Sequence, residues 1–265
     1  MDPVFIYPAA SAEMAMRKRM EIISNNLANV DTTGYKKDIP VFGSVVPPFA
    51  KTSSMGQSRD GTGRTSIIPI PSFTILAELA INFDQGNIKT TDSPLDVAIE
   101  GRGFFQIETP FGPLFTRNGA FIISNEGQLV TRNGQPVLGQ DGPITLPPGI
   151  VNIDDTGKIS VKVPGGAAPE EIDSLALVDF EDTSMLQKLT DGLFSPAKGV
   201  KPVPIPEDKV RVRQGALETS NVDPVKEMIA MIFAIRQYEA TQKAIQTAEE
   251  VEVSNVNKVG QLRQS

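Results

Sequence analysis

Both ends of this chain carry apolar residues at spacings of three and four, and the long middle does not. Near the N-terminus the row is Ile6, Ala9, Ala12, Met16, Met20, Ile23, Leu27 and Val30. Near the C-terminus it is Val225, Met228, Ile232, Ile235, Tyr238, Gln242, Ile245 and Ala248. A period near 3.6 marks an amphipathic helix. The rows predict a first helix of roughly 25 residues and a second over about 222–262. At 1.5 Å per residue the second would run roughly 60 Å. Ser220, Asn221 and Asp223 stand where an N-cap is wanted, and Pro224 suits a first turn. Gly34 is read as the left-handed stop of the first helix.

Two narrow stripes, one entering and one leaving a common middle, predict an antiparallel coiled coil. Gln242 and Glu249 interrupt the second stripe. Such a seam suits helices that complete their burial against other subunits. The residues placed in it are Met16, Met20, Ile23 and Leu27 on the first helix, and Met228, Ile232, Ile235, Tyr238 and Ile245 on the second.

The middle reads as β. Turn residues punctuate it: Asn125-Glu126-Gly127, Asn133-Gly134 and Asp154–Gly157 each separate short β-like runs. The fold class expected is therefore α+β, with long N- and C-terminal helices forming an antiparallel coiled-coil domain around an all-β, hairpin-rich central region. Its parts are a helix in 1–34, an extended linker or loop in 35–66, a β-rich outer region in 67–217 and a helix in 218–265.

Two absences narrow the chemistry. The 265 residues include no His and no Cys. That removes Ser-His-Asp and Cys-His nucleophile systems and the usual zinc, haem and iron–sulfur ligands. Carboxylate acid–base chemistry and an oxygen-ligated cation stay open. Gly101-Arg102-Gly103 lacks the third glycine and the helix start of a dinucleotide site and reads as a bulge or tight turn. Asp154-Asp155-Thr156-Gly157 is too short for a calcium loop and reads as a turn. Arg17-Lys18-Arg19 reads as a solvated helix face, with a charged contact between subunits as the alternative. No catalytic, cofactor-binding or metal-binding residue is assigned. A net charge of −7 makes nucleic acid a poor partner. No stretch reaches 18 apolar residues, so no membrane insertion is expected.

The run SNNLANVDTTGYKKD (24–38) poses a question of its own. Asn is a mediocre helix former, yet Asn25, Asn26 and Asn29 crowd the end of the first stripe. One reading is a fraying helix end capped by Asn and Gly. The other is a set of amides with partners on backbone or on a neighbouring subunit. All three are candidate interface residues.

These residues carry a family likeness. The run 24–38, with Asn25-Asn26-Leu27-Ala28-Asn29 and Thr33-Gly34 at its core, resembles the N-terminal signature of the flagellar rod and hook axial proteins. The run PLDVAIEGRGFFQIETPFGPLFTRNGAFIISNEGQLVTRNGQPVLG (94–139) resembles their shared β block. GALETSNVDPVKEMIAMIFAIRQYEATQKAIQTAEE (215–250) resembles their C-terminal block. The resemblance implies a structural subunit that polymerises helically with other proximal and distal rod proteins. Together they form a hollow drive shaft that carries torque and lines the export channel. It also implies passage through the export apparatus without a cleaved signal and residence in the periplasmic rod; contact with surrounding ring proteins stays open. Within the family, residues 215–224 and the compact length look closest to the proximal rod protein, and the short 40–66 linker, with no long insertion, argues against the hook protein. The distal rod protein and a periplasmic adaptor or chaperone of axial subunits stay open as alternatives.

Overall fold

A computed structural model describes residues 3–45, 58–59, 65–66, 73–165, 168–206, 209 and 211–262. The chain divides into two compact units. The first comprises 1–27, 38–80 and 224–265, and the second 28–37 and 81–223.

Antiparallel strands dominate the second unit. Its main sheet has six, in the order Leu186–Lys188, Leu193–Pro196, Leu114–Thr116, Phe104–Ile107, Leu177–Asp179 and Val203–Pro204. Successive side chains leave a strand on opposite faces. Adjacent Phe104 and Phe105 therefore enter different cores, as do Leu177 and Val178. One core joins Phe105, Ile107 and Leu177 to Val97, Phe121, Leu129, Ile144 and Ile159. The other is aromatic: Phe104 stacks edge-on against Phe83 and Phe180, with ring centroids 5.6 and 5.7 Å away, and Phe115 meets Phe180 at 4.9 Å. A sheet covered on both faces explains why Phe104–Ile107 is nearly continuous in apolar residues instead of alternating.

The turns fall where the sequence puts them. Phe121–Ile123 pairs with Leu129–Thr131 around Asn125-Glu126-Gly127. Ile150–Ile153, Lys158–Lys162 and Glu170–Ser174 form a three-stranded meander. In its first turn Asp154 Oδ1 accepts from the Thr156 and Lys158 amides, both at 2.9 Å. Slight burial works against the Asp154 charge. The bonds from Thr156 and Lys158 outweigh it and hold the carboxyl below its usual range. That carboxylate is spent on turn chemistry, as the sequence suggests.

Two pairings close the second unit over long sequence distances. Ile88–Thr90 pairs with Ala216–Glu218, and Val97–Ile99 pairs with Val212–Gln214. Residues near the start of the unit are thus fixed by residues at its end.

The first unit holds a helix over Pro3–Ala28, a ribbon of Asp38–Val45 paired with Phe73–Ile81, a short pair of Ser58–Arg59 with Thr65–Ser66, and a helix over Pro224–Leu262. The fold class read from the sequence needs correction. The chain is predominantly antiparallel β with one helix at each end, and no coiled-coil domain of two terminal helices forms among the described residues. The described helix–helix hydrogen bonds are polar: Tyr238 Oη donates to Glu13 at 3.2 Å and accepts from Arg17 at 3.1 Å. Met228, Ile232 and Ile235, assigned to a seam, are 47%, 51% and 41% exposed. Periodicity shows that a helix has an apolar stripe but not what covers it. Gly34 needs a second correction. The first helix ends at Ala28, and Gly34, with φ +68°, serves the following turn instead of capping the helix.

Candidate subunit interface

The C-terminal helix is apolar on two opposite sides. Ala234 is buried at 1% exposure. Ile232 lies two residues away, roughly 200° around the helix at 3.6 residues per turn. With Val225, Met228, Ile229, Phe233 and Ile235 it forms a broad face in which each side chain is exposed. Such a face on an isolated chain contacts water. A helix that is apolar all round normally lies in a protein interior. Tyr238, half-buried, belongs to the packed side with its polar contacts to the first helix, and Ile245 is also half-buried.

On the first helix Ile23 is buried, while Met16, Met20 and Leu27 are half-buried. The three asparagines separate sharply. Asn26 is buried at 1% exposure and clamps the next strand. Its Nδ2 donates to the Asp38 carbonyl at 2.9 Å, and its Oδ1 accepts from the Asp38 amide at 3.0 Å. A single amide thereby satisfies both backbone groups of Asp38. Asn29 accepts from the Thr32 hydroxyl at 3.1 Å, a local turn contact. Asn25 is exposed. Arg17, read as a solvated face or a contact between subunits, pairs with Glu13 at 2.7 Å and reaches Tyr238.

The second unit contains a buried charge cluster that sequence reasoning misses. Lys36 Nζ donates to Glu218 Oε1 at 2.6 Å and to the Asp84 carbonyl at 2.9 Å. Arg117 donates to Glu218 Oε2 at 3.3 Å and to the Gly101 carbonyl at 2.7 Å. Its guanidinium also lies 5.3 Å from the Phe104 ring centroid. The Gly86 amide donates to Glu218 Oε1 at 2.8 Å. Burial pushes the Lys36 ammonium below the ordinary lysine range, and Glu218 opposes that shift without overcoming it. Nearby, Asn221 Oδ1 accepts from the Lys37 amide at 2.8 Å, and its Nδ2 donates to the Asn82 and Asp84 carbonyls. The one signal in the sequence is that Lys36 and Glu218 stand inside otherwise well-patterned blocks. Their separation of 182 positions hides the pairing from any local rule.

The chain matches three family models in order. Residues 6–36 match the flagella basal body rod protein model, 98–161 the flagellar hook protein FlgE/F/G D1 domain, and 213–252 the flagellar basal body rod FlgEFG protein C-terminal model. Among curated proteins it is 35% identical over 254 residues to the flagellar basal-body rod protein FlgG of Agrobacterium fabrum, an alignment covering 92% of this chain and 94% of the relative. The chain belongs to the flagellar basal-body rod protein family. The FlgG of Borreliella burgdorferi is 34% identical over 256 residues, again 92% of this chain and 94% of the relative. The rod protein FlgF of Caulobacter vibrioides is 34% identical over 261 residues, or 97% of this chain and 98% of the relative. As a flagellar basal-body rod protein it is a structural subunit of the rod, assembled with other basal-body components. The Asn26 clamp and residues 28–36 fall within or beside the first matched block, and Glu218 and the apolar helix face fall within the last.

Proposed function

We propose that this rod subunit buries the exposed face of its C-terminal helix against neighbouring subunits of a helical, hollow drive shaft. One observation carries the reading: six large apolar side chains from Val225 to Ile235 face water on one side of a helix whose other side is packed. Half-burying further such side chains is worth about 1 kcal/mol each, so the face offers on the order of 6 kcal/mol. Association itself costs roughly 4–15 kcal/mol. A single pairwise contact is therefore marginal, and an open assembly in which each subunit has several neighbours is favoured. The candidate contact residues are Met228, Ile232 and Ile235, with Met16, Met20, Ile23, Leu27, Tyr238 and Ile245 around them, and Asn25, Asn26 and Asn29 at the end of the first helix.

On this reading the partners are proximal and distal rod proteins, with the export apparatus during secretion and ring proteins outside. The site is the periplasmic rod. The role is mechanical, and no reaction is assigned. Within the rod we place the chain in the proximal segment, on the likeness of residues 215–224. Basal bodies from a strain lacking the chain test the placement. A proximal subunit takes the distal rod with it, whereas a distal subunit leaves the proximal rod in place. Ile232→Asp tests the interface. Rod assembly is expected to fail while the denaturation midpoint of the β unit is unchanged, because Ile232 is half-exposed within its own chain. Normal motility and rod length in that variant would remove the proposal.

A further inference from the structure

Residue 218 is where the second unit gathers its ends. Its carboxylate takes bonds from Lys36, Gly86 and Arg117, and its carbonyl accepts from the Gly34 amide at 2.8 Å. Lys36, Arg117 and Glu218 are 0%, 4% and 0% exposed. Among the described residues no second carboxylate lies within salt-bridge distance of either cation. Two buried cations thus share one buried anion. Removing one member of such a cluster costs far more than the cluster contributes net, because a charge is left without compensation. The segment 28–37 docks through the same place. Lys37 donates to Asn221, the Asn221 amide reaches the Tyr35 carbonyl at 3.4 Å, and Gly34 donates to residue 218 itself.

We propose that Glu218 is a latch: its carboxylate closes the second unit by holding the N-terminal segment 28–37 in place, and without that charge the segment stays undocked while the rest of the β unit folds. The unit is thereby completed from its C-terminal end. A chain that has delivered everything up to Gly215 still lacks the anion that admits Lys36. The lock is electrostatic and not a matter of shape, so an isosteric amide does not replace it.

The test uses the full chain with three variants: Glu218→Gln, Lys36→Met and the double Lys36→Met/Glu218→Gln. Hydrogen exchange is read by mass spectrometry in two segments, 28–37 and the Ile150–Lys162 hairpin, which carries buried Val151, Ile153, Ile159 and Val161 and does not touch the cluster. E218Q is expected to lose about a hundredfold or more of the protection in 28–37, with wild-type protection in 150–162. The double variant regains part of the loss, because one uncompensated cation is gone. The latch is overturned if E218Q keeps wild-type protection in 28–37, or if both segments lose protection equally and K36M restores neither. Should E218Q unfold throughout, recovery of the fold by K36M supports the charge latch, and failure to recover refutes it.

Discussion

Replacing Gly34 with Ala tests how closely the chain segments of the second unit approach one another. Gly34 has φ +68°, and a left-handed residue with a Cβ carries about 1–2 kcal/mol of strain. A Cβ built there would lie 2.5 Å from the Asn118 nitrogen, 2.6 Å from the Arg117 carbonyl carbon and 2.8 Å from Asn118 Cα. All three are backbone atoms, and comfortable carbon contacts begin near 3.5 Å. Backbone has to shift to admit the methyl, at a further cost of about 1–3 kcal/mol. The hydrogen bond from the Gly34 amide to the Glu218 carbonyl would be strained by the same shift. Gly134 provides the control: its φ is +80°, and nothing lies within 4 Å of the point a methyl would occupy there. Gly134→Ala therefore carries only the conformational part. Urea unfolding of the full chain, followed by circular dichroism, is expected to show Gly34→Ala losing about 2–5 kcal/mol and Gly134→Ala about 1–2. Equal losses, or a larger loss at Gly134, would refute the close approach of residue 34 to the 117–118 backbone.

Other outcomes follow from the same contacts. Asn26→Ala strips both partners from the buried Asp38 backbone and is expected to cost about 2–6 kcal/mol at 1–3 per orphaned group; calorimetry of the first unit's transition measures it, and a loss below that of Asn25→Ala would contradict the clamp. Phe104→Ala removes a ring that meets Phe83, Phe180, Phe194 and the Arg117 guanidinium, and about 3–5 kcal/mol of stability goes with it in urea unfolding. Lys36 makes a pH prediction with a definite sign. Its folded value lies below the ordinary 10.5, so between those two values the unfolded chain binds more protons. Stability therefore rises as pH climbs through that window toward 10.5 and levels off above it. Lys36→Met removes the rise, and a stability that falls across the same window by the same amount in both proteins would sink the assignment.

Local patterning carries much of this structure. The turn at Asp154–Gly157 and the hairpin at Asn125–Gly127 are written in residues that bond within four positions. The helix over Pro224–Leu262 is marked by its period and by Pro224. What stays hidden is partnership. The stripe of Met228, Ile232 and Ile235 says that a face exists, and the natural guess of a coiled coil chooses the wrong cover within the chain. Asn26 looks like one of three similar asparagines, and only the return of Asp38 distinguishes it. Lys36 sits in a run of polar residues and reads as a surface lysine. Its burial follows from Glu218, 182 residues on, and no spacing rule spans that distance. The polar anchors are thus the least legible part, because each joins segments far apart in the chain.

Burial of Lys36 has a consequence for proteolysis. Trypsin cuts after lysine and arginine, and in an unfolded chain Lys36 and Arg117 are ordinary targets. In the closed unit both side chains are withdrawn from solvent, at 0% and 4% exposure. The peptide bonds that follow them become cleavable only through opening of the unit, so their cutting rate follows the population of open molecules. A digest that spares these two positions while trimming Lys198, exposed in a turn, therefore distinguishes finished subunits from chains still waiting for their last strand.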